Sequence, residues 1–330
     1  MNESELWLYR AQLSWDALDR LGFRRRASRI TVKEPRGVRA VPLWPFSQVL
    51  HTSTVMALLD QRVRPTAEGL LGAVESYRSG DAYGERPASR RRYYDDNAWI
   101  ALAAIDHDTQ ESLALANRVL HFLQRGSSQL GDGEIGVRWV EGGANFHACS
   151  TGSTGLVAAR LARKGIVDVD EARALALACA RFMARLEGDD GLVRDHMRPD
   201  GGMDRAVYTY NQGLAIGLLT EVGQVDDATA LAHRTIEAFG TERLWASPPV
   251  FNSIFIRELM RLHAVSPHPE WLAYSERYLE HVWVRARNAA TGELSGGGIG
   301  TYDKGVLLDH AGLVHAMLAL GTALGDTSGH

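Results

Sequence analysis

Two carboxyl groups stand side by side at Asp95 and Asp96, with Tyr93 and Tyr94 before them and Asn97 and Trp99 after. Glycosidic bond cleavage uses such a pair. One carboxylate attacks or stabilises the anomeric carbon and one carboxylic acid protonates the departing oxygen, about 5–5.5 Å apart where the anomer is retained. Consecutive helical residues diverge by about 100°, so adjacent carboxyls flank one bond only near a helix end. A helix N-terminus favours the ionised form of one partner, and its charge raises the proton affinity of the other. An aspartate at a helix start can equally do no chemistry and serve as a cap worth ~0.5–2 kcal/mol. The flanking aromatics and the rest of the chain decide for chemistry.

Most of the chain repeats at helical period. Leu175, Cys179, Phe182, Met183 and Leu186 form one apolar stripe, and Asp168 with Glu171 marks the start of that helix. Ala228, Leu231, Ala232, Ile236 and Phe239 form a second stripe, whereas 306–320 is apolar on nearly every face, the mark of a helix buried all round. Twelve helical stretches start near Glu3, Pro45, Pro65, Tyr94, Thr109, Asn145, Asp168, Tyr208, Val225, Phe251, His268 and Asp303. Odd-numbered stretches are wet on one side and even-numbered ones buried. Long links lead into each buried helix and short links lead out. This alternation predicts an all-α fold, an (α/α)6 barrel of six helical hairpins with short β-hairpins in the rim loops. A superhelical stack of the same hairpins is the alternative. Ile135, Val137 and Trp139 alternate as one rim strand would. No linker divides the chain, so 1–330 is read as a single catalytic domain.

If the buried helices run the same way, their starts converge at one end. Those starts read Trp44–Gln48, Tyr93–Trp99, Ala144–Gly152, Val207–Gly213, Phe251–Phe255 and Thr301–Gly305, rich in aromatics, amides, carboxylates and hydroxyls. A sugar ring needs that mixture, an apolar face to stack on and hydrogen-bonding groups for its hydroxyls. Trp44, Trp99 and Trp139 are the candidate platforms.

Here the sequence resembles glycoside hydrolase family 76, the endo-α-1,6-mannanases, an (α/α)6 family, from about Trp44 to Leu320. The strongest motif is Tyr94-Asp95-Asp96-Asn97-Ala98-Trp99, similar to the family's adjacent catalytic pair. Ile135-Gly136-Val137-Arg138-Trp139, Asn145 with Ala158–Leu161, Asp190–Asp195 and Tyr208–Gly213 are also similar. The resemblance implies a retaining hydrolase of α-1,6-mannosides with Asp95 as nucleophile and Asp96 as general acid/base. By location and resemblance, the substrate-binding set is Trp44, Gln48, Tyr94, Trp99, Arg138, Trp139, Asn145, Tyr208, Tyr210, Asn211, Gln212 and Phe251. One departure is Asn252-Ser253, where relatives carry Lys-Gly, which removes a charge from one subsite.

Competing signals point elsewhere. His147, His196 and His310 could serve a sugar 2-epimerase or isomerase on the same barrel, and a barrel that binds glycan without turnover is a third reading. Gly296–Gly300 lacks the strand and acidic residue of a dinucleotide site. No HExxH or Cys/His spacing points to zinc, and the aspartates of 188–204 do not follow the calcium-loop pattern. No metal and no cofactor is therefore expected. Arg90-Arg91-Arg92 is a candidate contact for a substrate phosphate.

The 330 residues are 45% hydrophobic and 23% charged, with 36 basic and 40 acidic residues and net charge −4. That balance excludes disorder and a nucleic-acid footprint. No run of 18 apolar residues suggests a membrane span. The acidic start, without a signal-peptide pattern, predicts a cytoplasmic chain. Cys149 and Cys179 read as buried thiols. The expected partner is a carbohydrate, an α-mannoside, and the expected state a monomer.

Overall fold

The computed structural model describes residues 1–26, 29–35, 37–131, 133–294 and 306–327. Among these, thirteen α-helices carry the fold: α1 (Glu3–Gly22), α2 (Leu43–Leu59), α3 (Arg64–Ala73), α4 (Tyr94–His107), α5 (Gln110–Gly126), α6 (Ala148–Arg163), α7 (Val169–Arg185), α8 (Thr209–Glu221), α9 (Val225–Phe239), the short α10 (Glu242–Ala246), α11 (Pro249–Val265), α12 (Pro269–Arg285) and α13 (Val306–Thr327). Observed starts fall within about three residues of those expected from the sequence. The sixth buried start, Thr301–Gly305, and the Gly296–Gly300 loop lie outside the described residues. The short α10 falls in the link after Gly240, where no helix is expected.

Side-chain caps occur on three of the outer helices, while the outer helices α3, α9 and α12 have none. Outer helices α1, α5 and α7 are capped by Asn2, Thr109 and Asp168, whose side chains accept the N–H groups of Glu5, Ser112 and Glu171. Inner helices α2, α4, α6, α8 and α11 begin after Pro42, Tyr93, His147, Tyr208 and Pro248, none of which caps with its side chain. First-turn N–H groups are taken instead by other parts of the chain: Leu43 donates to the Glu85 carbonyl at 2.8 Å, Tyr94 to the Trp139 carbonyl at 2.9 Å, Ala148 to the Asp195 carbonyl at 2.8 Å and Val250 to Asp309 at 3.1 Å.

Each inner helix packs on the next: α2 on α4, α4 on α6, α6 on α8, α8 on α11, α11 on α13, and α13 back on α2. The ring is closed, which rules out the open superhelix. The outer helices α1, α3, α5, α7, α9 and α12 pack against this ring. Close approach of α8 to α11 requires Gly213, where a Cβ would lie 2.7 Å from the Phe255 Cα. The Val306–Asp326 stretch of α13 is apolar and long enough to span a membrane, yet 78% of it is buried inside the protein. Its neighbours there are α1, α2, α11 and α12.

Long links build the rim at the N-terminal end of the inner helices. They form two-stranded antiparallel pairs, 23–26 with 29–32, 78–79 with 82–83, 127–129 with 135–137, and 146–147 with 196–197. The opposite part of the barrel interior is plugged by charge. Buried Arg160 donates to Glu221 and Glu258, both at 2.8 Å, while Arg257 reaches Gln48 at 3.1 Å and His315 at 3.0 Å. His51 and Arg261 both meet Asp106.

Candidate active site

The rim encloses a cavity of about 1030 Å3. All five described inner-helix starts line it: Trp44 and Pro45 from α2, Asp95, Asp96 and Trp99 from α4, Cys149 from α6, Tyr210 from α8 and Phe251 from α11. The residues just before these helices, Tyr93, His147, Tyr208 and Pro248, add to the wall, as do Trp139, Asp195 and the link through Gly37–Pro42. One wall is aromatic. Phe251 stacks on Trp44 at 6.1 Å between centroids and lies 4.3 Å from Tyr210. Opposite, Trp139 tilts against Tyr93 at 4.8 Å and stays 39% exposed, so its face is available to a ring-shaped ligand.

The paired aspartates do not cap their helix. Tyr93 holds the cap position, and Asp95 and Asp96 are the second and third residues of the first turn of α4. Trp139 Nε1 donates to Asp95 Oδ2 at 3.1 Å. Burial pushes the Asp95 carboxyl above the ordinary carboxylate range, and the Trp139 N–H, the Cys149 thiol, the Asp96 N–H and His147 oppose that shift. Beside them, burial pushes the Cys149 thiol and the Tyr210 phenol well up, so both stay protonated.

A third carboxyl, Asp195, faces the same space. Asn211 Nδ2 donates to its Oδ1 at 3.1 Å, and Nδ1 of His196 lies 3.0 Å from Oδ2. Burial alone would raise this carboxyl; His147, His196 and Asn211 outweigh it and hold the group low.

The expected binding residues divide into two groups. Trp44, Trp99, Trp139, Tyr208, Tyr210 and Phe251 line the cavity, with the aspartates. Gln48, Tyr94, Arg138, Asn145, Asn211 and Gln212 do not. Gln48 is buried and accepts from Arg257. Tyr94 stacks on Phe122 at 4.7 Å, and Arg138 lies over Phe146. Asn145 is half-buried just before the 146–147 strand. Gln212 accepts the Val193 N–H and donates to the carbonyls of Val193 and Tyr208. Arg92 is engaged by Asp81 and Glu141 rather than presented to the cavity. Of the three histidines, His147 lines the cavity and His196 adjoins it through Asp195, whereas His310 is buried against the Ser14 carbonyl.

Sequence reasoning passed over Asp195, Cys149 and the link through Gly37–Pro42 as cavity residues. Asp195 stands within a matched motif, Asp190–Asp195, so a signal was present. Cys149 falls within the expected start Ala144–Gly152, although it reads there only as a buried thiol, and nothing in the sequence marks the Gly37–Pro42 link.

A closed helical barrel with paired carboxyls and an aromatic wall at one end has the parts that a glycoside hydrolase site uses. The sequence model of glycosyl hydrolase family 76 matches residues 43–225, more than half of the chain, and the chain belongs to that family. No curated protein sequence matches it significantly. Among solved structures, a family 76 mannosidase from Bacteroides thetaiotaomicron VPI-5482 superposes with a TM-score of 0.83 at 18% identity, covering 98% of this chain and 100% of that one. An inactive variant of the α-1,6-mannanase of Salegentibacter sp. HEL1_6, with Asp→Asn at two consecutive positions and bound to α-1,6-mannotriose, gives 0.78 at 17% identity, covering 96% and 99%. A D-mannose isomerase gives 0.71 at 10%, covering 98% and 97%. At these identities the likeness is one of fold.

Proposed function

We propose that the chain, acting as one catalytic domain, hydrolyses α-1,6-linked mannosides with retention of the anomer. The observation that carries this reading is the placement of two consecutive carboxyls, Asp95 and Asp96, in the first turn of α4 beneath an aromatic-walled cavity. The inactive mannanase variant, substituted at two consecutive aspartates and holding α-1,6-mannotriose, supports the bond class.

In this mechanism Asp95 attacks the anomeric carbon. The C1–O bond breaks as Asp96 gives its proton to the departing oxygen, leaving a mannosyl ester on Asp95. Asp96, now a carboxylate, takes a proton from water. The water oxygen attacks C1, and the ester bond breaks to return Asp95. Trp139 orients the nucleophile through its N–H, and its ring face, with those of Trp44 and Tyr208, packs against the sugars.

Incubation with α-1,6-mannotetraose tests the reading. The wild type should release shorter mannosides whose first-formed anomer is α by NMR, and Asp95→Asn and Asp96→Asn should each stop release. Turnover surviving both substitutions would end the proposal. The isomerase reading has its own observation, the His147–His196 pair at the cavity edge, with ring centroids 4.6 Å apart. It predicts that His196→Ala abolishes mannose–fructose interconversion while Asp95→Asn does not.

A further inference from the structure

His147 and His196 lie directly opposite each other in the antiparallel pair formed by 146–147 and 196–197. Directly opposed residues project from the same face, with Cβ atoms about 4.5–5.5 Å apart, and here the two imidazoles stack at 4.6 Å and 21°. Both turn Nδ1 toward one oxygen. The Asp195 Oδ2 lies 3.0 Å from Nδ1 of His196 and 3.6 Å from Nδ1 of His147. One possible ligand atom from each of the three residues falls within 4.8 Å of the other two.

We infer that His147 Nδ1, His196 Nδ1 and Asp195 Oδ2 form a binding site for a zinc-class divalent cation at the edge of the sugar cavity. Tetrahedral zinc with bonds of about 2.0–2.1 Å sets its ligands roughly 3.3 Å apart. The two distances to Asp195 bracket that value before any ion is added. Imidazole nitrogens select zinc, cobalt or nickel over calcium and magnesium, which take oxygen ligands. Two features fix the donors. The strand register holds the histidines, and Asn211, fully buried, donates to the other Asp195 oxygen at 3.1 Å and so orients the carboxylate. Three protein ligands leave a fourth position, next to the space that His147 and Asp195 line. The ligands come from segments 49 residues apart in sequence, so no local spacing announces them.

A second cluster must be separated from this one. His233 and His268 converge on Glu270 Oε1 at 3.1 and 3.7 Å, but on the exposed side of the barrel and without a strand pairing to fix them. The test therefore uses the full chain carrying His233→Ala and His268→Ala, stripped with a chelator and titrated with zinc chloride by calorimetry. One zinc per chain should bind, and adding His147→Ala or His196→Ala should weaken it at least tenfold with the thermal unfolding midpoint of the apo-protein unchanged. In the same background, with the cavity histidines intact, cobalt(II) should show the strong visible absorption of a four-coordinate ion. Absence of one-to-one binding, binding indifferent to His147 and His196, or the weak spectrum of six-coordinate cobalt would overturn the inference. None of these readouts uses a glycan, so failure here and failure of the hydrolase reading are distinct.

Discussion

The indole N–H of Trp139 reaches 3.1 Å to Asp95 Oδ2, so a rim loop sets the orientation of a carboxylate in the first turn of α4. The same indole tilts against Tyr93 and His147, which hold its ring in place. Trp139→Phe keeps the ring and removes the donor. A hydrogen bond to a charged group is worth about 1.5–3 kcal/mol, so kcat on α-1,6-mannotetraose should fall roughly ten- to hundredfold. Trp139→Ala should also raise KM, because the stacking face is lost. Initial rates equal to wild type in the Phe variant would show that the contact does not orient the nucleophile.

Gln212 illustrates a device that recurs at the inner helix starts. Fully buried, it stands four residues after Tyr208, donates to that residue's carbonyl and holds both backbone groups of Val193. Asn97, four residues after Tyr93, does the same to the Tyr93 carbonyl and to both backbone groups of Tyr83. Thr151 accepts the Val137 N–H, and Asn252 donates to the Leu244 carbonyl. These side chains fasten the rim loops to the barrel. Gln212→Ala leaves the Val193 N–H and carbonyl without their partners and should cost about 1–3 kcal/mol, read as a lower urea midpoint. An unchanged midpoint would mean that the loop is held by other means.

That device marks where the sequence stops being legible. Helix positions follow from apolar period and from caps such as Asp168, because burial and backbone satisfaction act locally. The convergence of aromatics and carboxyls at one end follows from the alternation of buried and wet helices. What an amide at a helix start does is another matter. Asn211 and Gln212 are adjacent and both buried, yet one orients Asp195 and the other binds a loop backbone. Both are buried amides in the first turn of α8, about 100° apart around the helix, and the path of the incoming loop decides what each one meets. Closure of the ring is likewise a contact between the ends of the chain, α13 on α2, which no local pattern encodes.

Arg160 belongs to the segment Ala158–Leu161 that resembles the family, and its role is structural. It is buried between Glu221 and Glu258, with 2.8 Å contacts to each, from the end of α6 to α8 and α11. Arg160→Met strands the Glu258 carboxylate in the interior, while Glu221 keeps Arg163 at 2.9 Å, and breaking a buried pair costs about 3–5 kcal/mol. Urea unfolding should show that loss, and adding Glu258→Gln should restore part of it. A loss below 1 kcal/mol would indicate that Arg261, 3.8 Å from Glu258, takes over the compensation.

Asp309, on α13, is buried and accepts the Val250 N–H at 3.1 Å at the start of α11. Burial pushes its carboxyl up to about 7 from an ordinary value of 3.8. The folded chain therefore retains a proton that the unfolded chain has released between those two values. The contribution to stability is fully present below about pH 4 and is lost as pH rises through 7. A shift of this size corresponds to roughly 4 kcal/mol at most. Asp309→Asn keeps an oxygen for the Val250 N–H and cannot ionise. Relative to wild type, the variant should gain stability between pH 5 and pH 8, by up to about 3 kcal/mol because part of the loss is already complete at pH 5, in urea unfolding at the two pH values. A difference between the two proteins that is the same at both would show that Asp309 titrates alike in the folded and unfolded chain.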